Sequence, residues 1–116
     1  MAPTLVFDKA SGQLVATGGS PGGPFIIHFT AKTLYAMLNW GQNAQQAINL
    51  PNFGLLGGPV LLEKGRFEPA TIQALQARGH TVQEVPLPSG LQVIERTATG
   101  YFGGADPRRE GVVVGD

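Results

Sequence analysis

The sequence predicts an α+β fold, mostly antiparallel strands with about three helices, on three observations. Short β-prone runs come in pairs separated by turn residues. Two segments with helical apolar spacing each open on a proline, Pro24 and Pro69. Strands and helices do not alternate strictly, as a parallel α/β sheet would require.

Thr4 to Phe7 and Leu14 to Thr17 flank the turn residues Asp8 to Gly12 and predict an opening hairpin. Gly18 to Gly23 then leads to Pro24, whose missing N–H is no loss in a first helical turn. From Pro24 to Trp40, His28, Lys32 and Asn39 fall on one narrow polar stripe, while Phe25, Ile26, Ile27, Phe29, Leu34, Met37, Leu38 and Trp40 cover the rest. That pattern predicts a helix buried on most sides. Gly41 ends it, Asn43 caps a short helix over Ala44 to Asn49, and Pro51 stops that in turn. Pro59 to Glu63 reads as a strand. Glu68–Pro69 opens a third helix, with Ile72 and Leu75 on its apolar face and Gly79 as its C-terminal cap. His80 to Val85, Leu91 to Arg96 and Thr99 to Ala105 read as strands, and the tail from Asp106 as a turn and an exposed end.

The 116 residues fit a single domain spanning 1–116. Eight basic residues balance eight acidic ones and 14% of the chain is charged, which argues against nucleic acid or an anionic membrane as partner. The absence of Cys excludes disulfides, thiol catalysis and cysteine-based zinc sites, and two isolated His residues give no metal or cofactor set. No signal-peptide pattern or long apolar span stands in the sequence, so it reads as soluble with the compartment open.

Gly18 to Gly23 carries the most chemistry. Its glycines can turn successive N–H groups toward one point ahead of a helix N-terminus, and so hold an anion; the same run also makes a plain tight turn. A phosphate loop would need Gly-Lys-Ser/Thr at its end, where Pro24–Phe25 stands. His28 and His80 read as packed or surface histidines rather than a base or ligand. Glu63 and Glu68 read as acids capping or solvating a turn, and Asp106-Pro107-Arg108-Arg109-Glu110 as an Asp-initiated turn with solvated charges, in which an Arg pair could clamp a carboxylate.

Met1-Ala2-Pro3-Thr4, Gly19-Ser20-Pro21-Gly22-Gly23, Ala47 to Phe53, Glu63-Lys64-Gly65, Gly79-His80-Thr81-Val82 and Asp106 to Gly111, in this order and spacing, resemble the C-terminal part of the small subunit of gamma-glutamyltransferases. The resemblance covers essentially the whole chain. It implies part of an N-terminal-nucleophile hydrolase fold, an αββα sandwich, in which an N-terminal Thr attacks a γ-glutamyl carbonyl and water or an amine takes the acyl group. It assigns the backbone N–H groups of Gly22 and Gly23 to the oxyanion hole. The family's nucleophilic Thr and the residues gripping the glutamate precede the equivalent of Met1, which matches an internal Met of the pattern. Pro24–Phe25 stand where the family commonly has Ser-Arg, and Asn52 and Gly54 where it frequently has Arg and His. The resemblance thus implies a fragment inactive alone, completed by a chain carrying the nucleophile and taking a γ-glutamyl substrate only then. Apolar surface left by the missing sequence implies self-association or pairing with that chain. A non-catalytic assembly or binding module, and part of a related amide acylase, are the alternatives.

Overall fold

The structure is a computed structural model describing residues 1–116. The contacts divide the chain into two compact units, Met1–Leu50 with Ser89–Asp116, and Pro51–Pro88.

In the first unit, β1 (Thr4–Phe7) and β2 (Leu14–Gly19) form the expected hairpin. Its turn is tied by Asp8, whose carboxylate accepts the Ser11 N–H at 2.7 Å while its carbonyl accepts from Gly12 at 2.8 Å. A 3-10 turn, Gly23–Phe25, runs into α1 (Ile26–Asn39), so Pro24 opens helical structure as its fixed φ favours. α2 (Ala44–Asn49) carries a full capping box, Asn43 and Gln46 each satisfying the other's main-chain N–H. β6 (Gln92–Arg96) and β7 (Tyr101–Ala105) complete a sheet ordered β1-β2-β6-β7, antiparallel throughout.

The register sorts this sheet into two faces, because side chains alternate along each strand. Thr4, Gly18, Val93 and Gly104 form one row, and Leu5, Thr17, Ile94 and Gly103 the next. α2 lies on the first face. A side chain at Gly104 would meet the Ala44–Gln45 backbone and Ile48 Cδ1 at 2.8 to 3.0 Å, so glycine is what lets α2 approach. Ala16, Phe29, Ala36, Ala44, Ala47, Ile48 and Val93 are buried, a core thin enough for close helix-to-sheet packing. On the opposite face Leu5 and Ile94 stay exposed, and Val113 of the C-terminal tail crosses Gly103.

α1 does not bury the surface its sequence predicts. Its inward face is Phe29, Thr30, Lys32, Thr33 and Ala36, whereas Ile27 and Trp40 are 71% and 58% exposed, with Tyr35 and Leu38 exposed between them. Lys32, expected on a polar stripe, is buried because α2 ends there with carbonyls that still have acceptor capacity: Nζ donates to Ala47, Ile48 and Leu50 oxygens at 3.0 to 3.2 Å. Arg108 donates to the Ile48 and Leu50 carbonyls too, at 3.0 and 2.9 Å.

In the second unit β3 (Phe53–Gly54) pairs antiparallel with β4 (Val60–Glu63), which pairs parallel with β5 (Val82–Val85). The one parallel pair leaves the sheets mostly antiparallel, as expected, and α3 (Pro69–Ala77) provides the crossover such a pair needs. β3, two residues long, has no alternation to betray it. Glu63 is not a solvated turn acid: its Oε2 accepts the Asn52 N–H at 2.8 Å, while Asn52 Nδ2 donates to the Leu87 carbonyl at 2.9 Å. No helix of the chain is long and apolar enough to cross a membrane.

Candidate functional site

β2 ends at Gly19, and residues 20–25, the last three of them a 3-10 turn, carry the chain to the start of α1. Gly22 has φ +143° and Gly23 φ +58°, both in the region that suits glycine. At Gly22 space adds a second constraint, since a Cβ there would sit 2.7 Å from Cε2 of the buried Phe29 ring. Gly23 has nothing within 4 Å of its Cβ position and is exposed.

Neither glycine donates its main-chain N–H within the chain. Gly23 begins a helical turn, where no preceding carbonyl is in place to accept, and Gly22 caps that turn while its own carbonyl accepts from Phe25 at 3.1 Å. Two donors are thus left at the positive end of the 14-residue α1, with no acidic side chain in its first turn to neutralise them. Chemically, such a pair can stabilise a negative oxygen.

His28 is half-buried with its ring 5.7 Å from that of Phe25, and His80 is exposed in the second unit, before β5 begins at Val82. Asp106 and Arg108 were expected among solvated charges. Asp106 is instead 1% exposed, with Oδ1 accepting from the Arg108 N–H and Nη1 at 3.0 and 3.1 Å and Oδ2 from the Ser89 hydroxyl and the Leu91 N–H. The turn expectation holds for the backbone, as Arg109 N–H reaches the Asp106 carbonyl at 3.4 Å. The charges are buried because this turn ends β7 beside α2, whose carbonyls Arg108 satisfies. Ser20 and Ser89, both fully buried, carried no sequence signal as polar anchors beyond their places next to Pro-Gly and Gly.

The family model for gamma-glutamyltranspeptidase matches residues 1–116. The chain is 32% identical over 114 residues to the glutathione hydrolase proenzyme of Escherichia coli, covering 93% of this chain and 19% of that protein. It is 36% identical over 119 residues to the glutathione hydrolase-like YwrD proenzyme of Bacillus subtilis, covering 88% and 23%. It therefore spans about a fifth of the length of these curated relatives. Among solved structures, a Helicobacter pylori gamma-glutamyltranspeptidase mutant superposes with TM-score 0.86 at 23% identity, over 94% of this chain and 61% of that one. Cephalosporin acylase from Bacillus halodurans superposes with TM-score 0.79 at 30% identity, over 90% and 20%. The mixed α+β arrangement is that of these enzymes.

Proposed function

Because this chain belongs to the gamma-glutamyltranspeptidase family, we propose that it furnishes the oxyanion-binding part of a γ-glutamyl acyl-transfer site whose nucleophile lies outside these 116 residues. The observation that carries the reading is the Gly22–Gly23 pair, two N–H groups without internal acceptors at the head of α1. In this mechanism a nucleophile adds to the γ-glutamyl carbonyl, and the carbonyl oxygen gains the charge. The Gly22 and Gly23 N–H groups donate to that oxygen, and the α1 dipole adds to the same field. The intermediate collapses by expelling the amine, and water or a second amine releases the acyl group in a repeat of the same steps. One such donor is worth about 3 to 4 kcal/mol to the transition state. Pro24 and Phe25 bring no side-chain donor, so the contribution of this loop is made by its backbone.

In this reading the attacking group is carried by a complementary segment, which is the partner. The exposed apolar residues on the outer side of α1 and on the open sheet face support association, with such a segment or between copies of this chain. The similarity to cephalosporin acylase favours one further reading, the same site acting on a different amide.

The test is hydrolysis of γ-glutamyl anilide and of glutathione by the purified chain, alone and after co-expression with the preceding portion of a family member. Turnover only in the combined sample is expected. Inhibitor-sensitive turnover by the chain alone, through a covalent acyl-enzyme, would refute the division of labour. A correctly assembled but inert pair would favour a binding module.

A further inference from the structure

A trans peptide is planar, so its C=O and N–H point in opposite directions, and whatever holds the carbonyl also aims the N–H. The Pro21–Gly22 peptide is trans, and its N–H is one of the two donors of the loop. Its carbonyl is held by Ser20, whose hydroxyl donates to the Pro21 oxygen at 2.7 Å. The same hydroxyl oxygen accepts the Gly90 N–H at 3.0 Å, so neither its donor nor its acceptor side is left to rotate. Ser20 is 0% exposed, out of reach of water as a substitute.

Gly90 is fixed in its turn. A Cβ there would stand 2.8 Å from Pro21 Cγ and 3.0 Å from Arg109 Cδ, which shows how closely the 89–91 strand entry presses on Pro21. On either side of Gly90, the Ser89 hydroxyl and the Leu91 N–H both donate to Asp106 Oδ2. Asp106 is immobilised through its other oxygen by Arg108. The backbone of Ser89–Gly90–Leu91 therefore joins two sets of hydrogen bonds, one to the buried carboxylate of Asp106 and one, through Ser20, to the peptide plane that carries the Gly22 N–H.

We propose that Ser20, backed by Ser89 and Asp106, is a positioning residue that sets the direction of the Gly22 N–H by holding the Pro21 carbonyl. This deepens the oxyanion reading above and rests on it for its catalytic meaning. Glycine after the peptide removes the steric barrier to a flip of that plane, so the loop needs an external restraint, and the hydroxyl of Ser20 supplies it.

The experiment is Ser20→Ala in the isotopically labelled chain, read by the Pro21 carbonyl carbon and the Gly22 amide resonances. These are expected to shift or to split into two exchanging sets, while the amides of Ala36 and Ile48 keep their positions. Unchanged Pro21 and Gly22 resonances would overturn the proposal. Should Ser20→Ala fail to fold, Ser89→Ala leaves Ser20 and three donors to Asp106 in place; a smaller displacement of the same resonances supports the proposal, and none overturns it. In an active pairing with the nucleophile-bearing portion, Ser20→Ala is expected to lower kcat about 10- to 100-fold with KM within about twofold, somewhat less than loss of a whole donor. A released peptide plane with kcat intact would leave the restraint standing and refute the oxyanion role of the loop, so the two ideas fail separately.

Discussion

Replacing Gly22 with alanine adds one methyl group, and two independent costs can be read from its surroundings. The φ of +143° lies where L-residues are strained, at about 1 to 3 kcal/mol. The new Cβ would also stand 2.7 Å from the ring of Phe29, which is 2% exposed. Overpacking of that kind costs about 1 to 3 kcal/mol more. A total of about 2 to 6 kcal/mol is a large share of the roughly 5 to 15 kcal/mol that holds a domain folded. With a urea dependence of about 1.5 kcal/mol per molar, the midpoint should fall by about 1 to 4 M. Gly23→Ala is the internal control, since Gly23 has a positive φ of +58° but open space at the Cβ position. Strain alone, about 1 to 2 kcal/mol, is expected there. Far-UV circular dichroism in urea measures both. Adding Phe29→Leu to Gly22→Ala should recover part of the loss, a coupling of about 0.5 kcal/mol or more. Equal midpoints for the two glycine variants, or additive behaviour with Phe29→Leu, would refute the steric account.

Three further outcomes follow from the packing. Lys32→Met, which nearly preserves volume, should destabilise by about 1 to 3 kcal/mol, and a double-mutant cycle with Arg108→Met should show coupling because both cations serve the Ile48 and Leu50 carbonyls. Gly104→Ala should cost about 1 to 3 kcal/mol in urea unfolding by pushing on α2, whereas Gly103→Ala should chiefly free the tail at Val113, seen as faster proteolysis after residue 105. The Asp8 carboxyl lies below its ordinary 3.8, chiefly through the Ser11 main-chain N–H and then the Ser11 hydroxyl. A lowered folded-state value means the turn is supported above the ordinary value and loses that support as pH falls through the lowered one; faster Ser11 amide exchange in that acid window, corrected for intrinsic rates and absent in Asp8→Asn, is the measurement.

Much of the fold was legible because it is encoded locally. The hairpin, the Asn43 cap, both proline-opened helices and the β6–β7 pair all rest on turn and capping residues that act within a few positions. The burial of α1 was not legible, since periodicity counts apolar residues but cannot say which side a sheet will cover. Lys32 and Arg108 were misplaced for the same reason: only the folded chain brings the end of α2, with its accepting carbonyls, to two cations 16 and 60 residues away from Ile48. At the candidate site, the run Gly18 to Gly23 stood out because clustered glycines are a backbone signal, and the family resemblance narrowed it to Gly22 and Gly23. The hold on them from Ser20 and Ser89 was silent, as a buried serine is indistinguishable in sequence from a solvated one.

The side-chain amide of Gln45 behaves like a fragment of an eighth strand. Its Oε1 accepts the Ala105 N–H at 3.0 Å and its Nε2 donates to the Ala105 carbonyl at 2.9 Å, on the rim of β7 that faces away from β6. Since main-chain groups alternate sides along a strand, Tyr101 and Gly103 are the other positions of β7 that turn theirs outward. A foreign strand arriving at this rim finds only a short template, blunted at its end. The first strand has no such guard, and an assembly that extends this four-stranded sheet should grow from Thr4–Phe7.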